Sequence, residues 1–273
     1  MKRLLTIFFS LNCAFYCLAQ PASENLALTE ARYIPMEKTI FYELGDKTIP
    51  IKVIQYGAGS NTLCINIHDN EFTSVQAAKA VLELKGGTLI KIENNAQRII
   101  RFRLQGMLYS FDPNRIFSRE GIEQSLKENG RTGPAAIDEV EKFGERLLQL
   151  IPDSISCVIA LHNNTEEAYS IKSYLPGGDR RSDAKDVYAD KAQDVDDIVF
   201  TTDEWLFKKM STLGYNSILQ DNQRVKRDGS LSVYYGERGR RYVNIETQHG
   251  KTGQYQQMLD KLIEILSFQK QPA

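Results

Sequence analysis

Two short apolar runs, each ending at a histidine, constrain the fold more than any other feature of this 273-residue chain. Residues 62–67 precede His68, and residues 156–161 precede His162. Runs of this length and composition are typical of strands that are buried on both faces. Because ligands bind at strand ends in open α/β sheets, we expect the two histidines to converge on one point.

Strand and helix patterns alternate around these runs. Residues 73–85 carry a helical apolar face with Thr73 as the expected N-cap, and residues 88–93 form the next strand, which together indicate a parallel crossover. Further strands are expected at 38–43, 49–55, 98–104, 107–111, 197–201, 217–220, 231–235 and 242–246, and further helices at 118–129, 135–150, 203–213 and 253–268. The sequence therefore predicts a single α/β domain with a mixed, mostly parallel, twisted sheet flanked by helices. The long polar stretch 163–195 is expected to be a functional loop or a mobile one.

The N-terminus has the pattern of an export signal. Lys2 and Arg3 precede an apolar stretch over residues 4–18, and a small-x-small cleavage site follows at residues 17–19. A stretch of this length is too short for a membrane span, which needs about 20 residues. We therefore predict a signal peptide over residues 1–19, a leader over 20–37 and the folded domain over 38–273. The expected location is the periplasm or the outside of the cell.

Charge and cysteine content exclude some classes of protein. The formal net charge is −1 for the whole chain, and loss of residues 1–19 would remove two basic residues and no acidic ones. This balance argues against a nucleic-acid-binding surface, which needs a basic excess. Cys64 and Cys157 both lie in apolar runs, where buried free thiols are the expected state, although export would permit a disulfide. No Cys-x-x-Cys motif is present, so a cysteine zinc cluster is excluded.

The chemistry-bearing residues suit a metal hydrolase. His68 and Glu71 lie three residues apart, which lets an imidazole and a carboxylate reach one small cation, and His162 would be a second imidazole ligand. Two imidazoles and one carboxylate are a zinc ligand set that leaves a fourth position for water. Glu246 ends an alternating strand, where it could be a solvent-facing residue or a catalytic base. Asn114 and Arg115 could form a capped turn or bind a substrate carboxylate.

In this order, His68-Asp69-Asn70-Glu71, Asn114-Arg115, His162 and Glu246 resemble the zinc carboxypeptidase superfamily. That superfamily includes carboxypeptidase A, aspartoacylase and succinylglutamate desuccinylase. The resemblance spans about residues 38–268, and it implies an eight-stranded mixed sheet between helices.

The resemblance also implies roles for individual residues. His68, Glu71 and His162 would bind one zinc ion, and Glu246 would be the general base and then the general acid. Asn114 and Arg115 would bind a carboxylate of the substrate. The arginine that polarises the scissile carbonyl would be one of Arg98, Arg101 and Arg103, of which we assign Arg101. The tyrosine that covers the substrate would be Tyr234 or Tyr235, and we assign Tyr234. His249 is outside the family pattern and is expected at the surface or beside the site.

The resulting prediction is an exported zinc-dependent hydrolase that cleaves an amide bond in a peptide or cell-wall peptide with a free carboxylate. One alternative is a deacylase of N-acyl amino acids, and another is a wall amidase that releases peptide from an amino sugar. A binding protein that keeps the fold without turnover is the alternative from another functional class. The oligomeric state stays open.

Overall fold

The computed structural model describes residues 32–58, 60–165 and 169–268, which belong to one structural unit. The predicted signal peptide and residues 20–31 of the predicted leader lie outside the described residues. The strands, in chain order, are β1 (Pro35–Leu44), β2 (Lys47–Tyr56), β3 (Leu63–Asn66), β4 (Gly87–Ile92), β5 (Ile100–Leu104), β6 (Met107–Phe111), β7 (Cys157–Asn164), β8 (Ala184–Tyr188), β9 (Ile198–Thr201), β10 (Asn216–Gln220) and β11 (Arg241–Gln248). The α-helices are α1 (Phe72–Lys85), α2 (Arg119–Glu128), α3 (Pro134–Gln149), α4 (Glu204–Thr212), α5 (Leu231–Glu237) and α6 (Thr252–Ser267).

Nine strands form one mixed sheet in the order β1-β2-β4-β3-β7-β11-β9-β10-β8, and β5 pairs with β6 in a separate hairpin. The central strands β4, β3, β7 and β11 are parallel to one another, and β9 is parallel to β10. The other four pairings are antiparallel. The mixed α/β sheet is therefore confirmed, with nine strands instead of the eight that the resemblance implies. Half of the strand pairings in this sheet are parallel, because hairpin and edge strands extend the parallel centre on both sides.

Strand alternation divides the apolar side chains into two core layers, one on each face of the sheet. One layer contains Cys64 and Ile159 together with residues of α1, α4 and α6. The other contains Ile65 and Ala160 together with residues of α2, α3, α5 and the β5-β6 hairpin. Helices therefore flank both faces, as predicted. Because β3, β7 and β11 are parallel, their carboxyl ends lie at the same edge of the sheet.

Four local predictions are corrected by the structure. Residues 231–235 form the helix α5 and not a strand, because Leu231 and Tyr235 are one helical turn apart and both are buried. α1 begins at Phe72 with Glu71 at its N-cap, and the Thr73 hydroxyl accepts a hydrogen bond from the Gly250 backbone N–H instead.

The other two corrections concern segment boundaries. β1 begins at Pro35, inside the segment assigned to the leader. The stretch 163–195 contains the end of β7 and the edge strand β8. The described part of this stretch is thus partly regular structure and not one continuous loop.

Both cysteines of the described chain are buried free thiols, which agrees with the expectation for Cys64 and Cys157. No helix in the described ranges has the length and apolarity needed to cross a membrane.

Candidate metal centre

The four residues expected to carry the chemistry are held at the carboxyl edge of the parallel strands. His68 follows β3, and Glu71 is the N-cap residue of α1. His162 lies within β7, two residues before its end, and Glu246 lies at the corresponding place in β11. The convergence of both histidines, predicted from the two apolar runs, is therefore observed.

His68, Glu71 and His162 form a compact cluster of potential metal ligands. Their donor atoms all lie within 4.8 Å of one another, and all three side chains are buried. The Nδ1 atoms of the two histidines are 3.2 Å apart, and each lies 2.9 or 3.0 Å from an oxygen of Glu71. Four ligands around one zinc ion lie about 3.3 Å from one another, given zinc–nitrogen bonds of about 2.0–2.1 Å. The donor set and its spacing therefore fit a zinc ion bound at the centre of the three side chains.

Asp112 fixes the orientation of the first histidine. The Nε2 atom of His68 lies 2.8 Å from Oδ1 of Asp112, so this N–H donates to the carboxylate and Nδ1 is left as the ligand atom. The same aspartate oxygen accepts the backbone N–H of Asn114 at 2.8 Å. Sequence analysis gave Asp112 no functional role, although it directly precedes the Pro113-Asn114-Arg115 turn. Only its contact with a residue 44 positions away identifies it.

Arg98, and not Arg101, is the arginine beside the cluster. The Nη1 atom of Arg98 donates to Glu71 at 2.9 Å, and its Nη2 atom lies 3.1 Å from Oδ2 of Asp112. Arg101 is exposed on β5 and donates to the side chain of Gln97. Arg103 lies on the same exposed face and donates to the carbonyl of Gly106. The assignment of Arg101 is thus corrected to Arg98, because alternation along β5 turns both later arginines outward while Arg98 precedes the strand.

The carboxyl group of Glu246 is buried close to the cluster. The side chain is 9% exposed, and its Oε1 accepts a hydrogen bond from the Nδ2 of Asn244 at 3.0 Å. Burial raises the pKa of Glu246, and the charge of Glu71 raises it further, whereas His162 and the Asn244 hydrogen bond lower it. The net direction is upward, which makes this carboxylate a stronger proton acceptor than an exposed glutamate.

The electrostatics of the ligand cluster differ from those of Glu246. Burial raises the pKa of Glu71, but His68 and His162 outweigh it, so the pKa of this carboxyl is lowered. The pKa of Asp112 is lowered in the same way, mainly by its hydrogen bond and charge interaction with His68. Both carboxylates therefore stay ionised, as ligation of a cation and orientation of an imidazole require.

A cavity of about 380 Å³ opens in front of the cluster. Asn114 and Arg115 line it, as predicted, and Glu71, His162 and Glu246 contribute to the same wall. Asn114 accepts the backbone N–H of Leu231 through its side-chain oxygen, which fixes the amide. Arg115 forms an ion pair with Asp228 at 3.4 Å. His249 is exposed and lies at the cavity lining, beside the site.

Tyrosines other than the predicted Tyr234 line the cavity. Tyr234 lies on α5, where Arg238 stacks on its ring at 3.7 Å and Phe117 packs beside it at 6.2 Å, and it is not among the lining residues. Tyr169, Tyr174 and Tyr242 line the cavity instead. The Tyr234 assignment is corrected because residues 231–235 are helical, which places this ring on a side of α5 away from the cavity. The position of Tyr242 was accessible to sequence analysis, because it alternates with Asn244 and Glu246 on one strand face.

No protein-family model and no curated protein matches the chain. Solved structures do match. An aspartoacylase family protein of Mesorhizobium loti has 13% identity and a TM-score of 0.44, over 88% of this chain and 69% of that chain. Thrombin activatable fibrinolysis inhibitor has 12% identity and a TM-score of 0.49, over 84% of this chain and 69% of that chain. The murein-tripeptide amidase MpaA of Escherichia coli O157 has 10% identity and a TM-score of 0.43, over 86% and 93%.

Each of these structures is at most 13% identical to the chain and has a TM-score below 0.5. At this level of identity and structural overlap, the roles of individual residues rest on the geometry of the site.

Proposed function

We propose that the protein is a zinc-dependent hydrolase that cleaves an amide bond. The observation that carries the proposal is the convergence of His68, Glu71 and His162 on one point, with a buried carboxyl group, that of Glu246, beside them. A site that only binds a metal ion would need the three ligands. It would have no use for the further buried carboxyl group of Glu246, whose burial carries a desolvation cost. Zinc, when bound, lowers the pKa of a water molecule to about 7 and polarises a carbonyl group.

Glu246 handles the proton in this reaction. Its carboxylate takes a proton from the attacking water as oxygen bonds to the carbonyl carbon. The same group then delivers this proton to the nitrogen as the carbon–nitrogen bond breaks. The products are a carboxylate and an amine, and the water supplies all atoms added. The raised pKa of Glu246 suits both steps, because the group must give up the proton as readily as it accepts it.

Arginine side chains orient the substrate. Arg98 lies beside Glu71 at the cluster, where its guanidinium can donate to the developing negative charge on the carbonyl oxygen. Arg115 and Asn114 lie further along the same cavity and bind a carboxylate of the substrate. The ion pair of Arg115 with Asp228 holds this guanidinium in place, and a planar guanidinium matches a carboxylate with two parallel hydrogen bonds.

The substrate that we propose is a peptide with a free carboxylate, such as a cell-wall peptide, and the location is the cell envelope. The pattern of residues 1–19 supports export, and the pair of Asn114 and Arg115 in the cavity supports recognition of a carboxylate.

Mass spectrometry of the zinc-loaded protein against peptides, muropeptides and N-acyl amino acids tests this function. Loss of one C-terminal residue would establish carboxypeptidase action. Released acyl groups would establish the deacylase, and free amino sugar chains would establish the wall amidase. Glu246→Gln should abolish product formation and retain zinc, whereas Glu264→Gln, at a half-exposed residue of α6 that pairs with Lys261, should change neither. Zinc binding without hydrolysis of any compound would contradict the proposal and leave a binding protein.

A further inference from the structure

Asp69 lies between two metal ligands in the sequence, yet its carboxylate contacts another part of the chain. The side chain is 5% exposed. Its Oδ2 accepts the backbone N–H groups of Asn94 at 2.6 Å and of Ala96 at 2.8 Å, and its Oδ1 accepts a hydrogen bond from Lys91 at 2.6 Å. These bonds connect the turn that carries the metal ligands to the loop over residues 93–99, which joins β4 to β5.

This loop contains a turn that its own sequence does not favour. The backbone N–H of Gln97 donates to the carbonyl of Asn94 at 3.1 Å, and the two residues between them, Asn95 and Ala96, have φ angles of 54° and 57°. Asparagine tolerates positive φ, but alanine rarely adopts it because its Cβ comes too close to a carbonyl oxygen. Partners outside the turn must therefore stabilise it. Asp69 is such a partner, since two backbone N–H groups of the turn converge on one of its oxygens.

The side chain of Asn94 fixes the rest of the loop. This side chain is buried, and its Nδ2 donates to the carbonyl of Gln97 at 2.9 Å and to the carbonyl of Ile99 at 3.0 Å. Its Oδ1 accepts a hydrogen bond from Nζ of Lys47. Gln97 and Ile99 are the neighbours of Arg98 in the chain, so the backbone of Arg98 is held on both sides.

The backbone in turn determines where the Arg98 guanidinium lies. The Arg98 side chain is 42% exposed, so packing restrains it little. It nevertheless donates to Glu71 at 2.9 Å and lies 3.1 Å from Oδ2 of Asp112. Ordering a long side chain costs rotamer entropy, and a backbone already placed within reach of both carboxylates limits that cost. The contacts therefore form a closed ring, in which Asp69 holds the loop, the loop places Arg98, and Arg98 contacts Glu71.

We propose that Asp69 is a positioning residue that places Arg98 beside the metal cluster. Its carboxylate holds the loop in the one conformation that brings the guanidinium to Glu71 and Asp112, and it contacts neither the substrate nor the metal ion. This inference rests on the proposed function, in which Arg98 donates to the developing charge on the carbonyl oxygen. Residues 68–71 would then supply two metal ligands and also the anchor of the arginine.

Amide hydrogen exchange, read by mass spectrometry at matched zinc content, measures the hold of Asp69 on the loop without any substrate. Peptides covering residues 93–99 should exchange roughly 10- to 100-fold faster in Asp69→Ala than in the parent, the range for loss of hydrogen bonds to a charged group. Arg98→Ala should leave the exchange of these peptides within about twofold of the parent, because the loop holds the arginine and not the reverse. Unchanged exchange of this loop in Asp69→Ala would overturn the inference.

Hydrolysis kinetics of single and double variants test whether the loop acts through Arg98. Asp69→Ala should lower kcat/KM roughly 10- to 100-fold, the effect expected when a group at the reaction centre is displaced by about 1 Å. In the Arg98→Ala background the same substitution should change kcat/KM by less than about threefold, because the group that Asp69 positions is already absent. Equal factors in the two backgrounds would overturn the inference and leave Asp69 with a purely structural role.

Asp46→Ala is the matched control. Asp46 also accepts a backbone N–H through its carboxylate, that of Arg103 at 2.6 Å, near the far end of β5. Its loss should leave kcat/KM and the exchange of residues 93–99 within about twofold of the parent.

Asp69→Asn is a milder variant, and it carries the test if Asp69→Ala does not fold. It keeps an oxygen that can accept the two N–H groups and loses the charge, so both measurements should lie between those of the parent and of Asp69→Ala. Loss of zinc from Asp69→Asn while the loop stays protected would overturn the inference, because Asp69 would then act on the metal ligands.

The two measurements separate this inference from the proposed function. Faster exchange of residues 93–99 in Asp69→Ala, in a protein that binds zinc and hydrolyses no amide, would refute the hydrolase proposal and leave Asp69 as the anchor of Arg98. Hydrolysis by the parent, with unchanged exchange or with equal factors in the two backgrounds, would leave the hydrolase proposal intact and overturn the role of Asp69.

Discussion

Glu246 lies directly opposite His162 in the parallel pair formed by β7 and β11. Both residues are on the strand face that carries Tyr242 and Asn244, because side chains alternate along a strand. Neighbouring strands lie about 4.8 Å apart, so a cation held by His162 is within reach of the Glu246 carboxyl group. Strand register thus places the carboxyl group of Glu246 beside the His68-Glu71-His162 cluster.

Asp112→Asn should weaken zinc binding roughly 10- to 100-fold, the usual effect of losing a partner that orients a ligand histidine. The amide oxygen can still accept the backbone N–H of Asn114, but the negative charge that stabilises the Nε2–H tautomer of His68 is lost. Competition with a chelator, read by metal analysis, measures the affinity. Glu71→Gln removes a ligand and should lose more. Zinc affinity equal to that of the parent in both variants would contradict the assigned site.

Arg98→Ala should lower kcat/KM roughly 100- to 1,000-fold, the range found for loss of one donor to a developing oxyanion. Arg101→Ala should stay within about twofold of the parent, because that side chain is exposed and hydrogen-bonds Gln97 at the surface. Both values come from steady-state kinetics on the substrate identified in the panel. The reverse ranking of the two variants would restore the assignment made from the sequence.

Asn244→Leu should move the acidic limb of the kcat/KM profile to higher pH. The Asn244 amide donates to Glu246 and thereby lowers the pKa of that carboxyl, whereas burial raises it. Without the donor the pKa rises further, so the active carboxylate forms only at higher pH. Activity therefore falls at acidic pH while the alkaline limb stays in place. The measurement is a pH profile of kcat/KM for the parent and the variant at equal zinc content. An acidic limb that does not move would contradict the assignment of Glu246 as the base.

Asp197→Asn should reduce the loss of stability between about pH 4 and pH 7. Burial raises the pKa of Asp197 to about 6, above its value in the unfolded chain. The folded state therefore binds more protons over this range, and stability is present at low pH and lost as pH rises through 6. A shift of this size corresponds to about 1–3 kcal/mol.

Urea unfolding of the parent and of Asp197→Asn, at several pH values and constant zinc, measures this difference. Asp203→Asn, at a helix N-cap, is unsuitable as a control because its side chain caps α4. Asp138→Asn on the exposed face of α3 is the better match. The prediction is wrong if the free energy of unfolding of Asp197→Asn depends on pH as steeply as that of the parent.

Tyr255→Phe should destabilise the protein by about 1–3 kcal/mol. The Tyr255 hydroxyl accepts the backbone N–H of His162 at 3.2 Å and donates to the carbonyl of Ile245 at 2.9 Å. The substitution leaves both backbone groups buried without this partner. Chemical denaturation measures the change, and Tyr215→Phe, on a half-buried tyrosine away from the metal cluster, should cost less. Equal losses of stability in the two variants would mean that the hydrogen bonds of Tyr255 to β7 and β11 stabilise the fold no more than an ordinary tyrosine hydroxyl does.

Several features of this protein were determined by its sequence. The apolar runs before His68 and His162 predicted two buried strands, because a strand covered on both faces needs continuous apolar side chains. The three-residue interval from His68 to Glu71 and the alternation of Tyr242, Asn244 and Glu246 depend only on local backbone geometry. The spacing of residues in the sequence determines such local relations, and the structure reproduces them.

Tertiary structure decided which residues meet at the site. Arg98 and Arg101 are the same type of residue and lie close together in the sequence. Only the tertiary structure distinguishes them, because β5 turns the Arg101 side chain away from the cavity. The strand predicted at 231–235 became a helix because packing of Leu231 and Tyr235 in the core outweighs local pattern, which moved Tyr234 away from the cavity. Asp112 gained its role from a contact with His68 that distant segments create. Local spacing therefore predicted the interval from His68 to Glu71 and the strand-end place of His162, whereas long-range packing, which no short interval of sequence encodes, chose the arginines and tyrosines around them.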